Sequence, residues 1–193
     1  MFLIGEPSAA MVSLLIDEQR GAPLSYTEVG VSRDAPGKVS GYAVDHNRVR
    51  LGDGEVGFVR ASAALYAWKM FDLGWVRLLP RGAPAGVGTT VAVLARHIGF
   101  RSLNFSRVVY EVSGEEGGVR KLGFAYGTLP EHAESGEERF VVEWHPNGSV
   151  FYDLYAFSRP NHLLSWLGYP FAWGLQRRFA RGSLAAMARA VEG

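Results

Sequence analysis

Six short runs of β-type residues follow one another between residues 75 and 158, and this series constrains the fold more than any other feature of the sequence. The runs read WVRLLP, TTVAVLARHI, RSLNFSRVVYEV, VRKLGFAYGTLP, EERFVVEW and VFYDLYAFS. Turn-forming segments separate them, among them RGAPAGVG, SGEEGG and the Asn-Gly turn in HPNGS. Strands joined by short turns pair with their neighbours, so the sequence predicts an antiparallel meander.

Helical patterns precede this series. Apolar residues recur at intervals of three and four from Phe58 to Phe71 and predict one helix. The segment EPSAAMVSLLIDEQRG predicts another near the N-terminus, with Met11, Leu14 and Leu15 on its apolar face. Between them, DHNRVRLG predicts one further strand, which makes about seven strands in all.

The C-terminal segment, residues 159–193, predicts a long amphipathic helix with a kink at Pro170. It is the only predicted element long enough to cross the whole sheet, and a sheet with one apolar face must bury that face. We therefore expect an α+β fold in which an antiparallel sheet of about seven strands wraps around the C-terminal helix, with an extra N-terminal helix outside.

Composition excludes several classes of function. The 193 residues suffice for one domain, which we divide into an N-terminal helix and connector (residues 1–40) and a core (residues 41–193). The net charge of +1 provides no field that would attract nucleic acid. The lack of cysteine excludes disulfides and thiolate ligands and favours a cytoplasmic protein. The five histidines follow no metal-binding spacing, so we predict neither a metal nor a cofactor.

Four segments, WKMFDLGWV, GTTVAVLAR, FAYGTLPEHAESGEERF and AFSRPNHLLSWLGYP, resemble the family catalogued as domain of unknown function nineteen-ninety, known from bacteria and plants. The resemblance covers nearly the whole chain. The ending also resembles the polyketide-cyclase and START-like (SRPBCC) superfamily, whose helix-grip fold encloses a hydrophobic cavity. This second resemblance implies a helix-grip fold and binding of a lipid or polyketide, with cyclase or dehydratase chemistry in some members.

The stretch GFAYGTLPEHAESGEERF, residues 123–140, contains aromatic rings, a histidine and four carboxyl groups. We interpret it as a β-hairpin in the wall of a cavity rather than as a catalytic cluster. Glu131, His132 and Glu134 are expected in the loop, where polar residues need no special cause. Alternation places the small residues Gly123, Ala125 and Gly127 on one face, against a helix or a ligand.

Glu138 is the acidic residue of the hairpin that could serve a ligand, because its face also carries Phe140 and Trp144. Burial among rings would raise the pKa of this carboxyl group and suit it to general acid catalysis. The alternative, which we favour, is an arginine partner at the edge of the sheet. On the opposite face of the same strand, Glu137 and Arg139 are expected to contact solvent.

Other candidate residues come from the remaining strands and the last helix. Asn104, with Ser106 and Tyr110 on its face, could fix a ligand, or could form the wet side of the sheet. Asp153 beside Tyr155 could orient a hydroxylated ligand, although pairing of Asp153 with an arginine is favoured. The full set of predicted ligand-binding residues is Trp68, Asn104, Phe124, Tyr126, Glu138, Trp144, Asp153, Tyr155, Trp166 and Trp173.

The leading functional prediction is non-covalent binding of a hydrophobic small molecule, lipid-like or polycyclic, between the sheet and the C-terminal helix. One alternative is an acid–base enzyme of the cyclase or dehydratase type that uses Glu138 or Asp153 with Tyr126. Another is a protein that contacts a membrane surface or forms a homodimer through the apolar girdle around Trp166 and Trp173. No apolar stretch is long enough to span a bilayer, so we expect a soluble protein.

Overall fold

A computed structural model describes residues 1–161 and 169–192, with residues 169–173 described by their backbone alone. The strands are β1 (Phe2–Leu3), β2 (Ala43–Asp53), β3 (Val76–Leu79), β4 (Thr90–Arg96), β5 (Arg101–Glu116), β6 (Val119–Thr128), β7 (Glu134–Trp144) and β8 (Ser149–Pro160). The α-helices are α1 (Ala9–Gln19), α2 (Gly54–Tyr66) and α3 (Tyr169–Glu192). Short 3-10 helices cover Val31–Asp34 and Lys69–Phe71.

The strands form one antiparallel sheet in the order β2-β8-β7-β6-β5-β4-β3, and β1 pairs with β5 at its side. Strands β3 to β8 follow the chain order because short turns join them, as the meander pattern predicted. β2 returns to pair with β8 and so extends the other edge. The prediction of about seven strands is confirmed, and the short strand β1 is an addition that the sequence pattern did not indicate.

One face of the sheet, which we call the inner face, packs against α2 and α3. Phe124, Tyr126 and Phe140 on this face belong to the main core cluster, together with Phe58 of α2 and Met187 of α3. Tyr152 of β8 also donates to or accepts from Ser183 of α3, at 2.9 Å. The sheet thus encloses the C-terminal helix, and the predicted α+β helix-grip fold is confirmed.

The opposite face, the outer face, is also covered. Helix α1 packs on β4 and β5, and the connector after it carries Tyr26 and Val39 against β8. The expectation that Glu137 and Arg139 contact solvent is wrong, because their exposed fractions are only 2% and 7%. A polar connector without periodicity gave no sign that it would fold back over the sheet.

Helix α1 begins where predicted, with the side chain of Ser8 accepting a hydrogen bond from the Met11 amide at 3.1 Å. Its buried residues are Val12 and Ile16, which are one turn apart. Met11 and Leu14, two of the residues predicted to face the core, are exposed. Leu15, the third residue of the predicted apolar face, is partly buried against the same cluster, so the prediction is wrong for Met11 and Leu14 only.

A β-bulge in β5 changes the face of its second half. The register shifts between Val108 and Tyr110, so Val108 pairs with Tyr126 on the inner face and Tyr110 pairs with Ala125 on the outer face. The prediction that Asn104, Ser106 and Tyr110 share a face is therefore wrong for Tyr110. Its hydroxyl group lies 2.6 Å from that of Ser32 in the connector.

Candidate functional site

A cavity of about 370 Å³ lies between the inner face of the sheet and helix α3. Its volume falls in the range of small-molecule binding sites. The walls are mainly apolar, and their apolar side chains include Phe71, Trp75, Phe100, Leu175 and Phe179.

A row of side chains crosses the inner face of the sheet beside the cavity, from β6 to β2. The registers place Tyr126 of β6 opposite Glu138 of β7, Glu138 opposite Ala156 of β8, and Ala156 opposite Asp45 of β2. The Tyr126 hydroxyl donates a 2.6 Å hydrogen bond to Glu138. Ala156 is small, so it leaves open space between the two acids, which are two strand spacings, roughly 9.5 Å, apart.

Glu134 adds another carboxyl group to the same wall. It lies four residues before Glu138 on β7, so both side chains point to the inner face, and both line the cavity. The amide of Gln176 in α3 donates to the Ser158 hydroxyl at 3.1 Å, and both of these residues also line the cavity. These four polar residues of the cavity therefore lie where β7 and β8 face α3.

The cavity favours the neutral form of its carboxyl groups. Burial raises the pKa of Glu138 to about 8; the hydrogen bond from Tyr126 opposes this shift, whereas the charges of Glu134 and Asp45 add to it. Burial also raises the pKa of Glu134 to about 6, against a hydrogen bond with Ser158 that lowers it. The pKa of Tyr126 is raised well above its ordinary value, chiefly by burial. Near pH 7 Glu138 is therefore mainly protonated.

Three of the predicted site residues, Asn104, Tyr126 and Glu138, line the cavity. The arginine partner that we favoured for Glu138 is wrong for the described residues, because its recorded partner is Tyr126. Trp68 and Phe124 are core residues that do not line the cavity, and their ring centroids are 4.7 Å apart. The Trp68 indole donates a hydrogen bond to the Ala83 carbonyl at 2.8 Å.

Trp144 lies at the other end of β7, its ring 5.9 Å from that of Phe58. It packs against the main core cluster and does not line the cavity. Trp166 and the side chain of Trp173 lie outside the described residues, as does the apolar girdle predicted around them.

Asp153 and Tyr155 lie on the outer face, and this corrects their assignment to the cavity. Asp153 pairs with Arg139 at 2.5 Å and with His46 at 2.8 Å, so the arginine partner favoured from sequence is confirmed. The Tyr155 hydroxyl donates to the Pro36 carbonyl of the connector at 2.7 Å. Tyr155 thus holds the connector against the sheet, whereas Asp153 links β8 to β7 and β2.

Glu137 also holds the connector against the outer face. It accepts hydrogen bonds from the Tyr26 hydroxyl at 2.6 Å, the Gly30 amide at 2.8 Å, and the amide and hydroxyl of Ser32 at 3.1 and 2.5 Å. Four donors compensate the buried carboxylate, so Glu137 needs no cationic partner. The adjacent acids Glu137 and Glu138 thus face opposite sides and have different environments.

Sequence reasoning missed several residues of the cavity. Glu134 and His132 line it, although both were expected to be surface residues of the loop. The hairpin itself is confirmed, but β7 begins at Glu134 rather than at Glu137. Extending the alternation back from Glu138 by four residues would have placed Glu134 on the inner face. Asp45 and Gln176 carried no comparable signal, because their position depends on the pairing of distant elements.

Among residues 1–161 and 169–192, no group of His, Asp and Glu side chains is arranged to hold a metal ion. Within the same ranges, none of the helices has the length and apolar character needed to cross a membrane.

The fold and the cavity together define a helix-grip protein with an internal space between its sheet and its C-terminal helix. The chain belongs to the family described as Domain of unknown function (DUF1990), whose pattern matches residues 25–186. A UPF0548 protein of Dictyostelium discoideum is 37% identical over 99% of this chain and 96% of its own length. A UPF0548 protein of Deinococcus radiodurans is 37% identical over 99% of both chains.

A solved structure of an uncharacterised protein from Rhizobium leguminosarum has partial similarity, with a TM-score of 0.48 and 14% identity. The similarity covers 78% of this chain and 95% of that one. The assignment of the helix-grip fold follows from the strand order and the position of α3 described above.

Proposed function

We propose that this protein binds a hydrophobic small molecule non-covalently in the cavity between the sheet and α3. The observation that carries the proposal is the cavity of about 370 Å³ with its mainly apolar wall. At roughly 30 Å³ per atom, the share of a water molecule in the liquid, this space holds about a dozen non-hydrogen atoms. That is the size of a small aromatic or short-chain compound.

The polar groups in the cavity support this proposal. Several of them, including Glu134 and Ser158, lie near Glu138, whereas Phe71 and Phe179 form part of the apolar wall with ring centroids 5.2 Å apart. Binding sites commonly combine an apolar wall with a few polar groups that orient the ligand. On the outer face, Glu137 and Arg139 are instead bonded to groups of the connector.

Organic extraction of the purified protein, followed by mass spectrometry, tests the proposal. A compound of about this size should co-purify with the wild-type protein and be depleted in the cavity-filling variant Ala156→Leu. The control variant is Ala10→Leu, at an exposed position of α1, which should retain the compound. Titration with 4-phenylbutanol, monitored by tryptophan fluorescence, gives a second readout. The proposal fails if nothing co-purifies and no saturable binding of the probe occurs.

A second candidate function is acid–base catalysis, which the environment of Glu138 favours. A carboxyl group whose pKa is about 8 carries a proton at neutral pH and can transfer it to a bound molecule. Incubation of the extracted compound with the protein in D2O tests this function. Incorporation of deuterium at a carbon atom, lost in Glu138→Gln, would support catalysis, and unchanged isotopic composition would leave binding alone.

A further inference from the structure

We propose that the ligand of this cavity carries an amine, whose ammonium group is bound by Glu138 with Glu134 and Asp45 close by. This inference rests on the proposed function and names the chemical class of the ligand. It is based on the unequal distribution of charge partners between the two faces of the sheet.

Acidic residues on the outer face are compensated by protein groups, either by a cationic side chain or, at Glu137, by several neutral donors. Asp153 has Arg139 and His46, Glu143 has Arg48 at 2.6 Å, and Glu137 has its four donors. The protein therefore provides partners for buried acids wherever they serve only its stability, as the cost of burying a charge requires.

Among the described side chains, the acids of the inner face have fewer recorded partners of either kind. None of the ion pairs recorded between described side chains involves Glu134, Glu138 or Asp45. Asp45 accepts a hydrogen bond from the Asn47 amide at 2.8 Å, and Glu138 accepts the bond from Tyr126. Glu134 and Glu138 thus line an apolar cavity, with Asp45 two strands away from Glu138 on the same face, and the ammonium group of a ligand would supply a counter-charge for Glu138 when it ionises.

The other titratable groups described around Glu138 include tyrosines, histidines and an arginine of α3. From β6 and β8 it faces the tyrosines Tyr126 and Tyr152, whose pKa values are both raised well above the ordinary value. Burial lowers the pKa of His97, so this histidine is neutral at pH 7. His132 also lines the cavity, and its Nδ1 lies 3.0 Å from the backbone nitrogen of Glu134. On α3, Arg178 lies over the Trp75 ring, 4.6 Å from its centroid.

Aromatic rings near the acids suit the same ligand class. Phe71 lies 6.3 Å from Tyr126 and 5.2 Å from Phe179, measured between ring centroids. The faces of such rings attract ammonium groups, more so where water is excluded. A compound with an aryl or short alkyl body and one amine would place its body against these rings and its ammonium group beside Glu138.

Binding should be coupled to the release of a proton. Free Glu138 is mainly protonated at pH 7 because its pKa is about 8, and only the ionised form pairs with an ammonium group. The apparent affinity is therefore the intrinsic affinity multiplied by the fraction of protein in which Glu138 is ionised. The affinity for an amine should therefore rise as the pH increases from about 6 to about 8, by about tenfold or more.

Three probes with the same carbon skeleton test the proposal: 4-phenylbutylamine, 4-phenylbutanol and 4-phenylbutyrate. In calorimetric titrations of the full chain at pH 7.5, we expect the amine to bind about tenfold more tightly than the alcohol, and the carboxylate to bind weakest. Glu138→Gln should weaken binding of the amine about tenfold and leave the alcohol unchanged. The control variant Glu143→Gln, on the same strand but the outer face, should retain the preference.

The outcomes separate this inference from the proposed function. If the alcohol binds as tightly as the amine, the inference is overturned and the cavity remains a binding site for apolar molecules. If none of the probes binds saturably, the proposed function itself fails. If Glu138→Gln does not fold, the comparison of amine and alcohol in the wild-type protein decides, together with Glu134→Gln. An amine affinity independent of pH would also contradict the role of Glu138.

Discussion

The hydroxyl group of Tyr126 donates a 2.6 Å hydrogen bond to the carboxyl group of Glu138, and both residues lie on the inner face of the sheet. This bond lowers the pKa of Glu138, whereas burial, the larger effect, raises it to about 8. The tyrosine therefore moderates the proton affinity of an acid that the cavity would otherwise hold even more firmly in its neutral form.

Removal of that hydroxyl group should raise the pKa of Glu138 further. In Tyr126→Phe the ionised carboxylate loses a donor while its burial is unchanged. Titration of the Glu138 side chain by carbon-13 NMR measures the effect. Tyr42→Phe is the control, because its hydroxyl group bonds Glu28 in the connector. A pKa that stays the same or falls in Tyr126→Phe would show that this hydrogen bond does not stabilise the ionised form.

The stability of the protein should decrease as the pH rises from about 4.5 to about 8. In this window folded Glu138 retains a proton that the unfolded chain, with a pKa near the ordinary value of 4.5, has released. The folded state binds more protons, so the free energy of unfolding falls with pH by up to about 1.4 kcal/mol per unit. Burial of Glu134, with a pKa of about 6, adds to the effect in the lower part of the window.

Urea unfolding of the wild-type protein and Glu138→Gln at pH 5.5 and pH 8 measures this dependence. The variant should lose most of the slope and be the more stable protein at pH 8. Equal slopes for the two proteins would contradict the raised pKa of Glu138.

Substitution of Arg139 should destabilise the protein strongly without affecting the cavity. Arg139→Gln leaves Asp153 buried on the outer face without its cationic partner, and such losses cost about 3–5 kcal/mol. Arg48→Gln removes a more exposed ion pair with Glu143 and should cost about 1 kcal/mol or less. Chemical denaturation compares the two variants. Under conditions where Arg139→Gln is folded, its affinity for 4-phenylbutanol should equal that of the wild-type protein; a loss of binding would link Asp153 to the cavity after all.

A side chain at Gly127 should displace the connector. A Cβ atom built there would lie 2.7 Å from a ring carbon of Tyr26, closer than such atoms approach in folded proteins. Gly127→Ala should therefore cost about 1–3 kcal/mol and disturb the hydrogen bond between Tyr26 and Glu137. Gly37→Ala is the control, because nothing lies within 4 Å of its added atom. A Gly127→Ala variant as stable as this control would mean that the connector can leave the outer face at little cost.

The sequence indicated the sheet, its enclosure of the last helix and the inward direction of Tyr126 and Glu138, because these follow from local alternation and turn residues. The outer layer could not be predicted in the same way. Tyr26 and Ser32 lie in a polar connector without a repeating pattern, and their contacts with Glu137 form across more than 100 positions of the chain. Side-chain alternation also fails at the bulge before Tyr110, which local sequence does not mark.

The candidate site was predictable only in part for a related reason. Glu138 was identified within a single strand, from the rings that share its face. The row that joins it to Asp45 exists because β2 pairs with β8, and neither strand indicates the register of that pairing. Residues that act through neighbours on distant strands become visible only in the folded structure.

Because Glu137 and Glu138 point to opposite faces, the correct pairing of β7 must be distinguished from a shifted one by other residues. A slip by one residue would move each glutamate to the opposite face of the sheet. Since either face would still carry one of these two identical side chains, the glutamates alone hardly distinguish the correct alignment from the shifted one. The next pair does. The same slip would drive the guanidinium group of Arg139 into the ring cluster of Phe71 and bring the ring of Phe140 out beside Asp153. Arg139 and Phe140, rather than the two acids, make the shifted alignment prohibitive, so changes at these two positions carry the greatest risk of a misaligned sheet.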